Sequence, residues 1–260
     1  MDRGTEVGQL TLPEALALLL ISPEGRITTT GTVFDLGLAG AALGDLALRG
    51  HVTLDHGRVA VAKAPPIGEP TLDGFTTFLE AAPSPRQPAT WVSRLADRAL
   101  RDSVLGGLVT RGVLGREPGR ALAFFPSVLW PERDPRPTRA LRAEVDAVLR
   151  GQAPPTPFTT ALIGLLRSTR TLRRQFGTHD RARVRSITGD DWVAAAVRIV
   201  VKQTQSRGDG FAGGGFIASG SDGGDSSFGG SDGGGHHGGD GGGGDSGGDG
   251  GGDGGGGGGD

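Results

Sequence analysis

Arginine is the residue type through which this chain could do chemistry. Arg94, Arg98 and Arg101 recur at spacings of four and three, which on one helix from about Thr90 to Thr110 places them on a common face. Arg167, Arg170, Arg173 and Arg174 form a second row, continued by Arg181, Arg183 and Arg185. A guanidinium meets a phosphate through two parallel N–H donors, so arginines clustered on helix faces suit a phosphorylated headgroup or an anionic bilayer surface. A solvated face in an arginine-rich composition gives the same pattern, and spacing alone does not separate the two.

Catalytic constellations are absent from the sequence. The chain contains no cysteine and no tyrosine. Thiolate metal sites and disulfides are therefore excluded. Of the five histidines, His51 and His56 fall on an expected hairpin, His179 in a polar loop, and His236 and His237 in a glycine-rich tail. None has a second ligand at metal-binding spacing, although the last pair, among aspartates, offers a loose alternative. Asp190 and Asp191 look like a catalytic pair but read better as negative charges at the start of a helix. Gly37, Gly40 and Gly44 lie inside a helical stretch rather than between a strand and a helix, so they are no dinucleotide loop. The expectation is a protein that is not an enzyme and has no catalytic residue, metal or cofactor.

The elements that must position the arginines are mostly helical. Thr11, Pro13 and Glu14 open a helix that runs through the leucine cluster to Ile21 and is apolar around most of its circumference. A second helix spans Val33 to Arg49, its three glycines inviting another helix close, with Gly50 as its C-terminal cap. Alternating apolar residues around Asp55-His56-Gly57-Arg58 give a β-hairpin. The pattern returns after the Thr90–Thr110 helix: Arg111-Gly112, then Val113-Leu114, a turn at Arg116 to Gly119, and Ala121 to Phe125. Leu46 to Gly50 is thus echoed by Leu108 to Gly112, either as a duplication or as a common way to end a helix. Phe124 and Phe125, with Trp130 nearby, either complete the core or protrude. Pro126 to Pro137 reads as a connector. Further helices follow over Thr138–Arg150 (capped by Thr138), Thr159–Arg174, and from Asp191 to about Gln203. Six or seven helices and two short hairpins make a mainly α domain around a buried central helix.

Composition sets the domain limits. Residues 207–260 hold 30 of the 50 glycines and nine aspartates with one arginine. Such a segment cannot bury enough apolar surface to offset its ordering entropy, so a disordered tail is expected over 206–260, after a flexible 1–9 and a folded 10–205. Without that tail the chain has 26 basic and 20 acidic residues, a mildly basic body that favours anionic partners without demanding nucleic acid. Lys63 and Lys202 are the only lysines, a composition typical of a GC-rich bacterial genome. The apolar run Leu16 to Ile21 is too short to span a bilayer and lacks the flanks of a secretory signal. A cytoplasmic place, peripheral on the inner face of the membrane, is the expectation.

In this order the segments resemble the Golgi phosphoprotein 3 family. The resemblance is carried by Leu10 to Leu20, Gly37 to Gly50, Gly68-Glu69-Pro70 with Leu72-Asp73, the Trp91 segment, and Leu108 to Leu114. It implies a helical, non-catalytic protein that recognises phosphatidylinositol 4-phosphate and links protein cargo such as glycosyltransferases to vesicle machinery. The family's headgroup pocket pairs a tryptophan and an arginine around the second helix with two arginines three apart on a later one. Those two fall on Arg98 and Arg101, with Arg94 as a weaker neighbour. The other two positions hold Thr30 and Ala39. A hydrophobic hairpin for membrane insertion and self-association falls on Val113 to Phe125, with Leu122, Phe124 and Phe125 as its contact residues.

Two functions follow as expectations. The first is a peripheral binder of phosphoinositide or other anionic headgroups that also engages protein cargo, with a homo-oligomer through the second hairpin. The second is a nucleic-acid or protein-binding module, its hairpins placed like the wings of a winged helix.

Overall fold

The computed structural model describes residues 10–121, 125–189 and 191–208, the side chains of 120, 121, 125–127 and 203–208 excepted. The first helix, α1 (Leu12–Leu20), is held at its start by a reciprocal cap. The Thr11 hydroxyl accepts from the Glu14 amide at 3.4 Å, and the Glu14 carboxylate accepts from the Thr11 amide at 2.9 Å. All nine α1 residues are buried, as their apolar circumference requires.

Helix α2 (Gly31–Leu48) packs on α1 and is buried from Val33 to Leu46. By length and composition it resembles a membrane span, but 78% of it is buried inside the fold, as in a core helix. Its glycines let neighbours in closely. A Cβ on Gly40 would lie 2.1 Å from a methyl of Val197 and 3.2 Å from one of Leu165. Those contacts belong to the later helices α7 (Pro157–Ser168) and α10 (Trp192–Gly208), which cross α2.

The first hairpin pairs β1 (Val52–Asp55) with β2 (Arg58–Val61), and His56 and Gly57 both take positive φ at its two-residue turn. Helix α3 (Pro70–Glu80), which the sequence reading leaves unassigned, is started by the Glu69 carboxylate accepting from the Leu72 amide at 2.7 Å. The expected Thr90–Thr110 helix is two helices, α4 (Pro88–Leu95) and α5 (Arg98–Thr110). Asp97 is extended between them and accepts from the Leu100 amide at 2.8 Å. A short acidic side chain that can cap a new helix competes with continuation of the old one.

The second hairpin is displaced from its expected register. Strands β3 (Glu117–Ala121) and β4 (Phe125–Leu129) pair Glu117 with Leu129 and Ala121 with Phe125, so Glu117 to Gly119 are strand and not turn. Val113 and Leu114 are buried in the core instead. A two-stranded ribbon tolerates Pro118 and Pro126 because each strand has a free edge. Trp130 is buried, with Arg116 over its ring at 5.6 Å, which settles it as a core residue.

Helix α6 (Arg136–Arg150) begins before Thr138: the Asp134 carboxylate takes the Arg136 amide at 3.0 Å, and the Thr138 hydroxyl is buried without a partner. The expected Thr159–Arg174 helix ends at Ser168 and resumes as α8 (Leu172–Phe176), and α9 (Arg181–Thr188) is a further helix. At the start of α10, Asp191 accepts from the Val193 and Ala194 amides at 2.9 and 3.0 Å. The described residues form ten helices and two antiparallel strand pairs, a mainly α fold, and all of them belong to one compact unit. The expected disordered tail lies outside the described residues from 209 onward, as do Asp190, His236 and His237.

Candidate functional site

The only charged residues of helix α2 are two acids, Asp35 and Asp45, and burial obliges each to find a cation. Asp45 accepts from the Leu12 amide at 2.6 Å and pairs with Arg49. Asp35 pairs with Arg101, whose Nε donates at 2.7 Å to one carboxylate oxygen while Nη2 donates to the other. This bidentate pair ties the N-terminal part of α5 to the N-terminal part of α2. The carboxylate raises the Arg101 pKa still further, partly opposed by burial of the guanidinium.

Around this pair lie the positions singled out in the sequence. Thr30 caps α2, its hydroxyl accepting from the Val33 amide at 3.3 Å. Arg101 Nη2 sits where a Cβ on Gly31 would meet it at 3.4 Å, so the guanidinium lies over the helix start. Ala39 is fully buried in the core. Arg98 shares the α5 face with Arg101; it is largely exposed and lies 3.5 Å from Asp102. Arg94 is exposed on α4, so the expected single face of three arginines is a pair on α5 plus a neighbour on another helix. Leu122 and Phe124 lie outside the described residues, and Phe125 is placed by its backbone at the start of β4.

The echoed Arg-Gly segments have a structural role that sequence spacing did not disclose. Both helices end alike: Gly50 and Gly112 take φ of 75° and 73°, and the next amides reach back to Leu46 O at 2.8 Å and Leu108 O at 2.9 Å. The arginine before each glycine then serves the N-terminus of α1. Arg49 neutralises Asp45, which holds the Leu12 amide, and Arg111 neutralises Glu14, which holds the Thr11 amide. The missed signal was an acid on each of two apolar helices, Glu14 on α1 and Asp45 on α2, each needing a partner.

The second arginine row divides. Arg174 donates to the Thr28 carbonyl, and Arg183 donates to the Val148 carbonyl at 2.9 Å, so both pin the chain. The remaining five surround a cavity between α7, α8 and α9. Among the described residues no group of three or more potential ligands could hold a metal ion.

By its fold the chain is a mainly helical domain with two short hairpins and arginine-lined surfaces. The Golgi phosphoprotein 3 family model matches residues 12–204, and the chain belongs to that family, whose members are generally non-catalytic lipid- and protein-binding proteins. No curated protein matches the chain.

Proposed function

We propose that this protein is a non-catalytic peripheral adaptor that takes a phosphoinositide-type or other anionic phospholipid headgroup beside the start of α2. The observation that carries the reading is the Arg101–Asp35 clamp. It fixes the partly exposed guanidinium over the α2 N-terminus through Nε and Nη2, and in this reading Nη1 is the group that donates to a phosphate oxygen. Arg98, three residues earlier on the same face, supplies the second cation, and exposed Gly31 and Thr32 at the start of α2 supply amide donors. The β3–β4 hairpin is the element that would meet the bilayer interface, and cargo binding would use surfaces away from it.

Asp35 and Asp102 balance the charge of Arg101 and Arg98 locally. Headgroup affinity here therefore rests on directed hydrogen bonds more than on net charge, and Arg98 must leave Asp102 to engage a phosphate. The test is flotation with vesicles of neutral lipid, of phosphatidylglycerol, and of phosphatidylinositol 4-phosphate. Selective binding to the last, lost in the combined Arg98→Ala, Asp35→Asn, Arg101→Gln protein, supports the reading. The paired Asp35 and Arg101 changes avoid leaving a buried charge alone. Binding indifferent to these changes would overturn the assignment to this site.

A further inference from the structure

The cavity between α7, α8 and α9 is about 290 Å³ and carries more unneutralised positive charge than the α2–α5 surface. Arg167, Arg170, Arg173, Arg181 and Arg185 line it together with His179. Leu172 and Val184, both buried, form its apolar floor. Among the described residues none of the five arginines lies within ion-pair distance of a carboxylate, whereas Arg49, Arg98, Arg101, Arg111, Arg133 and Arg150 each have one. The nearest acid in sequence, Asp180, is engaged at the start of α9, accepting from the Ala182 amide at 2.8 Å. Arg167 is aimed by a donation to the Thr188 hydroxyl at 2.8 Å.

One residue of the five is held in an unfavourable backbone conformation. Helix α7 ends as α2 and α5 do: the amide of Thr171 reaches back to Leu166 O at 2.9 Å, matching the bonds to Leu46 and Leu108. At the left-handed position, where those helices have Gly50 and Gly112, α7 has Arg170 at φ 60°. A side chain there works against the backbone, and two examples in the same molecule show that glycine fits. From that position Arg170 lines the cavity with four other arginines.

We propose that this cavity is a binding site for a phosphomonoester dianion carried on a small organic body, separate from the Arg98–Arg101 surface and independent of it. Arginines suit this ligand because their N–H forks match phosphate oxygens, and the apolar floor accepts the carbon part. The volume is at the lower end for small-molecule sites, enough for one phosphorylated headgroup or metabolite.

The test titrates the full chain with inorganic phosphate and glycerol phosphate, and floats it with neutral vesicles carrying either phosphatidic acid or charge-matched phosphatidylglycerol. Arg173→Gln with Arg181→Gln is expected to weaken phosphomonoester binding by about tenfold or more, while Arg98→Ala leaves it unchanged. Arg170→Gly is the sharper variant: it should raise the melting temperature and still weaken binding, which a merely structural arginine would not do. Preference for phosphatidic acid vesicles identifies a lipid source, and binding of glycerol phosphate alone identifies a soluble one. The proposal is overturned if phosphomonoesters do not bind or if binding survives the double substitution.

Discussion

The arginines of the α2–α5 region and those of the α7–α9 region occur at similar spacing but in opposite electrostatic settings. Arg101, Arg49 and Arg111 face carboxylates that are themselves largely buried, and each helps bind helices together. Arg170, Arg173, Arg181 and Arg185 face a cavity and, among the described residues, no acid. The difference teaches that a row of cations in sequence has no single meaning. Where an apolar helix buries an acid, the cation becomes part of the fold; where no acid faces it, the cation stays available to a ligand.

Removing paired arginines should therefore cost stability, and the largest cost is expected at Arg111. Arg111→Ala strands the Glu14 carboxylate beneath the surface at the start of α1. The expected loss is about 3 kcal/mol in denaturant unfolding, toward the lower end for a broken buried pair because Arg111 is partly exposed. A loss below half that would show that water replaces the guanidinium. Arg101→Ala should follow at about 2 kcal/mol, since Asp35 lies near the helix start where backbone dipoles and solvent help it. If Asp35→Asn combined with Arg101→Gln is as damaging as Arg101→Ala alone, the stranded-charge explanation fails.

Asp191 sharpens the comparison from the acidic side, as a half-buried carboxylate with no cation paired to it among the described residues. One of its oxygens caps α10 while the other is buried without a hydrogen bond, and desolvation raises its pKa above the usual aspartate value despite the Val193 and Ala194 amides. A raised carboxylate pKa means that the folded state holds the proton more tightly. Its stabilising contribution is thus full below about pH 3.8 and is lost as pH rises through the raised folded value. Asp191→Asn should keep the cap and flatten this part of the stability–pH profile, whereas Asp191→Ala should cost about 1 kcal/mol at neutral pH. An unaltered profile in the asparagine protein would assign the titration elsewhere.

The smallest expected effect is the counterpart of the first. Arg173→Gln or Arg181→Gln should change stability by no more than about 0.5 kcal/mol, in the stabilising direction at low salt as repulsion among the cavity arginines is relieved. A loss comparable to that of Arg101→Ala would show that these arginines belong to the fold after all.

Some of this was legible in the residues. The threonine cap with Pro13 and Glu14 marks α1, the leucine run marks its burial, and the glycines of α2 mark the close approach of its neighbours. Local chemistry suffices there, because a cap or a missing Cβ acts within a few residues of itself. The break at Asp97 was also local, but it was masked by helical spacing on both sides. Alternation and turn residues displaced the second hairpin, since Glu117 to Gly119 satisfy a turn as readily as a free-edged strand.

What the sequence by itself determined is the class: a helical body with two hairpins, an excess of arginine, and the segments that place it in the Golgi phosphoprotein 3 family. Which arginines are bound to acids and which face a cavity was decided only in three dimensions. Asp35 and Arg101 are 66 positions apart, and Glu14 and Arg111 are 97 apart. Charge pairing depends on distance through space, and no periodicity along the chain carries that information.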